Sequence, residues 1–337
     1  MFYITLSLAF VKRLNYNKIM DKKTKKIRYV FWGTSDFGAI VLEKLIEHNL
    51  VPLTVITTPD KPVGRKRVLT PSPVKKIALK YKLPILEPSQ IKDNSELKKQ
   101  LISLSPDIFL VASYGKILPT DILKIPVYGS LNIHPSLLPK YRGASPIQTA
   151  ILNGDENNTG VSIILMDEKI DHGKIIIKIK NQKHKSKINY KKLSDELANL
   201  GAEAFIKILP DWVKGKIKSL PQADKNATFT KIIKKEDGEI NWQNSADSIE
   251  KMVRAYSLWP VAYSQWQGKT IKIIEAEIAK ENDSFMPGTV FLNKKKDLCV
   301  ACGKGALILK KIQLEGGKIL SAKDFLNGHR QILGQIL

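Results

Sequence analysis

Residues 27–48 read IRYVFWGTSDFGAIVLEKLIEH, and this stretch decides how the chain begins to fold. IRYVFWG is a short apolar run rich in aromatic and β-branched side chains, the composition of a buried strand. Asp36 stands where a helix can be capped, and from Ala39 the apolar residues return at the spacing of an amphipathic helix. VPLTVIT (51–57), DIFLVAS (107–113) and GSLNIH (129–134) repeat the apolar run, with helical patterns between them in SPVKKIALKYK (72–82) and SELKKQLISL (95–104). Strands that alternate with helices predict an α/β domain around a doubly wound, mostly parallel sheet of Rossmann-like class.

Open sheets of this kind bind ligands beyond the carboxyl ends of their strands. The candidate site loops are therefore GTSDFG (33–38), TTPDKPVGRKR (57–67), ASYGK (112–116) and NIHPSLLPKYRG (132–143). GTSDFG has its glycines five apart, and Ala39 stands where a phosphate loop needs lysine. It fits neither nucleotide fingerprint, which argues against a nicotinamide-dependent oxidoreductase. Farther on, TGVSIILMD (159–167) and GKIIIKIK (173–180) flank the turn EKIDHG (168–173), so Asp171 falls at a hairpin-like bend.

A helix is expected from about Tyr190 to Lys214, and the polar, aperiodic SLPQADKNATFTK (219–231) reads as a linker. After it, short strands split by turn signals in VAYSQWQGKTIKIIEAEIA, PGTVFL and LCVACGKGALILKKIQL suggest a small, OB-like β-barrel. The expected division is an extension over 1–26, an α/β domain over 27–215, a linker over 216–230 and an OB-like domain over 231–337. Met20 makes a better natural start than Met1, so residues 1–19 are expected to be dispensable.

The 337 residues are 43% hydrophobic and 26% charged, enough for about two globular domains and unlike a disordered or fibrous chain. Fifty-five Lys and Arg against 32 Asp and Glu give a formal charge of +23, which suits a polyanionic partner, although lysine-heavy vocabulary can also reflect genome bias. Placement adds to composition: Lys61, Arg65, Lys66 and Arg67 crowd one candidate loop, and residues 174–192 hold eight lysines and no acid. No apolar run reaches the ~18 residues of a membrane span, and MFYITLSLAF lacks the pattern of a secretory or mitochondrial leader. Cys299 and Cys302 are the only cysteines, so a disulfide framework is excluded. Strand alternation sends that pair to opposite faces, and no further cysteine completes a zinc site. A cytoplasmic monomer without membrane or metal is the expectation.

Of the five histidines, His134 stands apart. It ends a strand two residues after Asn132, and residues two apart on an extended chain share a face. An amide that stabilises an oxyanion beside an imidazole that moves a proton suits acyl transfer. The following PSLLPKYRG has two prolines to stiffen it and apolar residues that could line a slot for a flat heterocycle. A buried acid would favour the imidazolium; Asp171 is the first choice and Asp167 its competitor.

With those residues in view, SLNIHPSLLPKYRGASPIQTAILNGDENNTGVSIILMDEKIDHGKI (130–175) resembles the core of the formyltransferases that use 10-formyltetrahydrofolate, with Asn-x-His, SLLP and a later Asp at matching places. FWGTSDFG, TTPDKPVGRKRVLTPSPVK and VASYGKILP are similar to the N-terminal half of the methionyl-tRNA formyltransferase family. INWQNSADSIEKMVRAYSLWPVAYSQWQGKTIKIIEA and PGTV are similar to its terminal barrel. The likeness runs from about Ile27 onward, and Trp32 stands where smaller residues are usual.

The resemblance implies formyl transfer from 10-formyltetrahydrofolate, as co-substrate and without a metal, to methionyl-initiator-tRNA in translation initiation. It implies Asn132, His134 and Asp171 as the catalytic trio, and Ser136, Leu137, Leu138 and Pro139 as folate contacts. It also implies Arg65, with Lys61, Lys66 and Arg67 around it, as the loop that meets the tRNA acceptor end. Two other functions share parts of this pattern: a folate-dependent formyltransferase acting on an amino sugar or glycinamide ribonucleotide, and an RNA-binding protein without activity. Neutralising Arg65 as Arg65→Ala is expected to weaken tRNA binding and to flatten its dependence on salt; a filter-binding titration at several salt concentrations measures both.

Overall fold

Five apolar strands lie parallel in the first part of the chain: β1 (Tyr29–Gly33), β2 (Thr54–Ile56), β5 (Ile85–Leu86), β6 (Ile108–Ala112) and β7 (Ser130–His134). The structure, a computed structural model, describes residues 27–64, 67–182, 184, 186–279 and 285–337. The spatial order is β5-β2-β1-β6-β7, continued by β9 (Gly160–Leu165) and β10 (Lys174–Lys180), both joined by antiparallel pairing. This is the doubly wound, mostly parallel sheet expected from the alternation. β1 and β6 pair along their full lengths and every residue in them is buried, because a central parallel strand is covered on both faces.

Helices α1 (Asp36–Glu47), α2 (Pro73–Lys80), α3 (Ser95–Ser103) and α4 (Thr120–Leu123) make the crossovers. Asp36 is the first residue of α1 rather than its cap, which is Ser35, whose hydroxyl turns to Ser113 at 2.8 Å. The two loops at the sheet's switch point are thus tied together, and Thr34 adds bonds to Ser113 and Tyr114. A Cβ at Gly33 or Gly38 would press on the Ala112 carbonyl, so these glycines serve close packing rather than a phosphate. Trp32 is fully buried, edge-on to Phe109 and Tyr114 with centroids 5.5 and 5.2 Å away.

The chain divides into two compact units. The first takes the described parts of 27–146 and 157–182 together with 194–230; the second takes 147–156 and the described parts of 184–193 and 231–337. Residues 216–230, expected to be a linker, therefore fold with the sheet. Their bonds run through single side chains and the backbone, a pattern without periodicity. Two short excursions, including most of α5 (Pro146–Leu152), belong instead with the C-terminal unit. Within that unit Arg254 binds Glu156 at 2.9 Å, the Ile188 carbonyl at 2.8 Å and Glu250 at 2.9 Å, tying both excursions to one guanidinium.

The rest of the second unit is an antiparallel, OB-like half-barrel of β12 (Ala262–Trp266), β13 (Lys269–Ile278), β14 (Val290–Leu292), β15 (Leu298–Ala301), β16 (Ala306–Leu314) and β17 (Ile319–Ser321). It wraps one apolar core, with α7 (Ala246–Ala255) and α8 (Ala322–Gly328) contributing Ile249, Val253 and Phe325. Cys302 lies in this core and Cys299 in a separate cluster with Phe291, as strand alternation predicts.

The long helix α6 (Tyr190–Val213) packs Gly201 against Ile133, the residue between Asn132 and His134. Any Cβ there meets the Ile133 side chain well inside van der Waals contact. Gly201→Val gains a few tenths of a kcal/mol in helix propensity but costs about 1–3 kcal/mol in overpacking, so a net loss is expected. Thermal unfolding should show a lower Tm, with turnover reduced as β7 is pushed from its register.

Candidate active site

β7 carries the site because of its register. Asn132 pairs with Val111 on β6 and Ile164 on β9, and His134 pairs with Ser162 on β9. With a side-chain period of two, both project from the face of the sheet that bears Phe109 and Val111. β9 and β10 form the expected hairpin, and their connecting turn brings Asp171 back over the strand end. Oδ1 of Asp171 accepts from the Asn132 amide at 3.1 Å and faces Nδ1 of His134 at 3.4 Å. Oδ2 accepts from the Gly143 backbone N–H at 2.9 Å. The three residues singled out in sequence thus meet at one carboxylate. Asp167, the competing acid, binds His172 at 2.6 Å and Lys169 N–H instead.

Nε2 of His134 lies 2.9 Å from the Tyr141 carbonyl. A carbonyl only accepts, so Nε2 carries a proton, and a lone pair on Nδ1 would face a carboxylate. The arrangement therefore favours the imidazolium. Burial is the largest influence on His134 and pulls its pKa down, but the Asp171 charge, its hydrogen bond and the Tyr141 carbonyl together hold it above the ordinary value. For Asp171 burial again acts first, upward, and is outweighed by the His134 charge and bond, then by Gly143 and Asn132, so its carboxyl lies below the usual range. Asn132 makes no other side-chain hydrogen bond among the described residues, which leaves a second amide hydrogen to point at a ligand.

The SLLP loop is built more from within than expected. Ser136 and Leu138 are both fully buried. Ser136 Oγ donates to the Lys140 carbonyl at 2.6 Å, and Leu138 N–H donates to Ser162 Oγ at 3.0 Å. Ser136 Oγ and the Leu138 N–H are thus spent on the loop itself, while Leu137 and Pro139 are half-buried and keep some surface. Lys178, part of the lysine-rich run, reaches the Leu138 carbonyl at 3.2 Å, and burial lowers its pKa. That lysine braces the loop instead of offering charge to a polyanion.

The basic loop is a short antiparallel hairpin, β3 (Lys61–Val63) with β4 (Val68–Thr70). Lys61 and Arg67 are exposed on it, while Arg65 and Lys66 lie outside the described residues. Lys75 secures its base, at 2.7 Å from Asp60 and 2.9 Å from Glu87. The hairpin stands beside the ASYGK loop: burial first, and then the Lys61 charge, lowers the Lys116 pKa.

Sequence reasoning missed the residues that support the trio from 216–230. Gln222 and Asp224 bind Arg142, Thr228 Oγ1 accepts from Tyr141 N–H at 2.8 Å, and β11 (Phe229–Thr230) pairs in parallel with β8 (Arg142–Gly143). The one available signal was the polarity of the segment, since a chain lying on a buried polar site needs side chains that donate and accept. Among the described residues no group of three or more His, Cys, Asp or Glu is placed to hold a metal ion. No helix there is long and apolar enough to cross a membrane.

Comparison with known proteins matches residues 25–209 to the formyl transferase family and 232–330 to the formyl transferase C-terminal domain. The methionyl-tRNA formyltransferase of Caldicellulosiruptor saccharolyticus is 42% identical over 313 residues, 91% of this chain and 99% of its own length. This chain belongs to the methionyl-tRNA formyltransferase family. The Staphylococcus aureus member is 41% identical, over 91% of this chain and 97% of its own. Among solved structures, HypX from Aquifex aeolicus superposes with a TM-score of 0.62 at 16% identity, over 91% of this chain and 48% of HypX. The sugar 3N-formyl transferase WlaRD gives 0.59 at 20% identity, over 88% of this chain and all of its own. Those two likenesses concern the fold alone.

In this family member the ion pair of His134 and Asp171 sets a pH window. The raised His134 pKa contributes stability that is full below its unfolded value of about 6.5 and is lost as pH rises through the folded value. The lowered Asp171 pKa contributes stability that is full above about 3.9 and is lost as pH falls through the folded value. Asp171→Asn should therefore lie furthest below the parent in urea unfolding near pH 5–6, with the gap narrowing towards pH 9; an equal gap at both pH values contradicts the pairing.

Proposed function

We propose that this chain transfers the formyl group of 10-formyltetrahydrofolate to the α-amine of methionyl-initiator-tRNA, with Asn132, His134 and Asp171 as its catalytic residues. The observation that carries the reading is the single carboxylate shared by an amide and an imidazolium at a strand end, in a chain of this family. The amine attacks the formyl carbon, a C–N bond forms, and the carbonyl oxygen becomes an oxyanion. The free N–H of Asn132 is the donor for that charge. The amine must lose a proton and N10 must gain one as the old C–N bond breaks. His134 starts as the acid, gives the Nδ1 proton to N10, and as neutral imidazole takes up the proton the amine loses; its longer contact, 3.4 Å to Asp171, is the one that opens to release Nδ1.

A cavity of about 590 Å³ begins one strand alternation away from Asn132. Ser130, Leu123, Tyr128, Met166, Asp167, Glu168 and Trp212 are among its lining. Its size lies in the range of small-molecule sites, its walls are largely apolar, and its two carboxylates suit the amino and N–H edge of a pteridine. We assign the folate ring to this cavity, further folate contacts to the half-buried Leu137 and Pro139, and the tRNA acceptor end to the hairpin of Lys61 and Arg67. On the same reading the protein acts as a monomer in a bacterial cytoplasm.

The test is purified protein with methionyl-tRNA and labelled 10-formyltetrahydrofolate, scored for label on the aminoacyl end. Asn132→Ala is expected to lower kcat about 100- to 1000-fold, the usual cost of removing an oxyanion donor, with the fold retained. Turnover within a few-fold of the parent removes Asn132 from that role.

A further inference from the structure

Asp171 is not in a relaxed backbone conformation. Its φ is +50°, in the left-handed region that L residues enter at a cost unless their surroundings hold them there. Three donors bind its carboxylate, but these act on the side chain; the main chain of the turn is held separately. Gln222 Nε2 donates to the Asp171 carbonyl at 2.8 Å and to the Gly173 carbonyl at 2.8 Å, gripping the turn on both sides of His172.

The other end of that amide is also occupied. Gln222 Oε1 accepts from Arg142 Nε at 3.0 Å and Nη2 at 2.8 Å, and Arg142 is only 4% exposed. Both amide hydrogens and the oxygen are therefore used. Turning the amide over would set its oxygen against two carbonyls and its NH₂ against a guanidinium, so a single orientation is permitted. The bonds close into a ring, since the residue after Arg142 is Gly143, whose N–H binds Asp171 Oδ2. Asp224 adds a 2.7 Å bond to Arg142, and β8 is pinned by its pairing with β11.

We propose that Gln222 is a positioning residue for formyl transfer, holding the Asp171 turn in the conformation from which its carboxylate reaches Asn132, His134 and Gly143. The proposal rests on the function assigned above. Gln222 touches no reacting atom; it acts through Asp171. Loosening the turn moves the carboxylate from its partners, and a misplacement of about 1 Å in such a site can cost about 100-fold in rate.

Two variants separate the halves of the clamp. Gln222→Met removes every polar contact at similar size, while Gln222→Glu keeps an acceptor for Arg142 and withdraws both donations to the turn. Both are expected to lower kcat about 10- to 100-fold, with KM for each substrate within about threefold of the parent. In an Asp171→Asn background either variant should add less than about a twofold loss, because the residue it acts through is already disabled. An equal loss in both backgrounds, or kcat within about twofold of the parent, overturns the proposal; Gln222→Glu decides it if Gln222→Met does not fold. Hydrogen exchange over residues 168–173 is read in parallel and is expected to quicken in the folded variants. If the parent itself shows no formyl transfer, the assigned function fails, and unchanged exchange in that segment still refutes the clamp on its own.

Discussion

The structure depends on one buried carboxylate. Removing Asp171 from water is costly, and the cost is offset by an imidazolium, a side-chain amide and a backbone N–H that converge on its two oxygens. None of these partners is independent of the others. The imidazolium is stable because the carboxylate is charged, and the carboxylate stays charged because the imidazolium is near. Asn132 in turn is aimed by the same Oδ1, so one misplaced atom disorients two groups. The sheet's contribution is to deliver β7 and the β9–β10 turn to the same place.

Much of this was legible from local pattern. The parallel sheet followed from apolar runs alternating with helical ones, and the shared face of Asn132 and His134 followed from a two-residue strand period. Asp171 was marked by a turn between two apolar strands and preferred on that ground, but setting Asp167 aside required coordinates, because both sit within a few residues of a strand end. The role of 216–230 was hidden for a physical reason: a segment that works through isolated side chains and backbone bonds leaves no hydrophobic period. The return of 147–156 and 184–193 to the second unit was equally hidden, since it depends on Arg254, about a hundred residues from Glu156. A matched motif also does not state which way its side chains turn, and the buried Ser136 and Leu138 show the difference.

Charge gives a similar lesson. The net +23 is a property of composition, and part of it is committed internally. Lys178 holds the Leu138 carbonyl, Lys180 reaches Asn158, and Lys187 pairs with Glu250. What remains exposed on the β3–β4 hairpin, Lys61 and Arg67, follows the carboxyl end of β2 in the chain.

The two thiols have a practical side. Cys299, within β15, and Cys302, just past its end, are both buried in separate apolar clusters, and burial pushes the Cys302 pKa up to about 12. Burial keeps both sulfurs from reagents while the protein is folded. A cysteine introduced on the surface would be the group that takes a maleimide dye, so fluorophores can be attached for distance measurements without first deleting native sulfur, and reactivity of the two original thiols becomes a direct optical readout of unfolding.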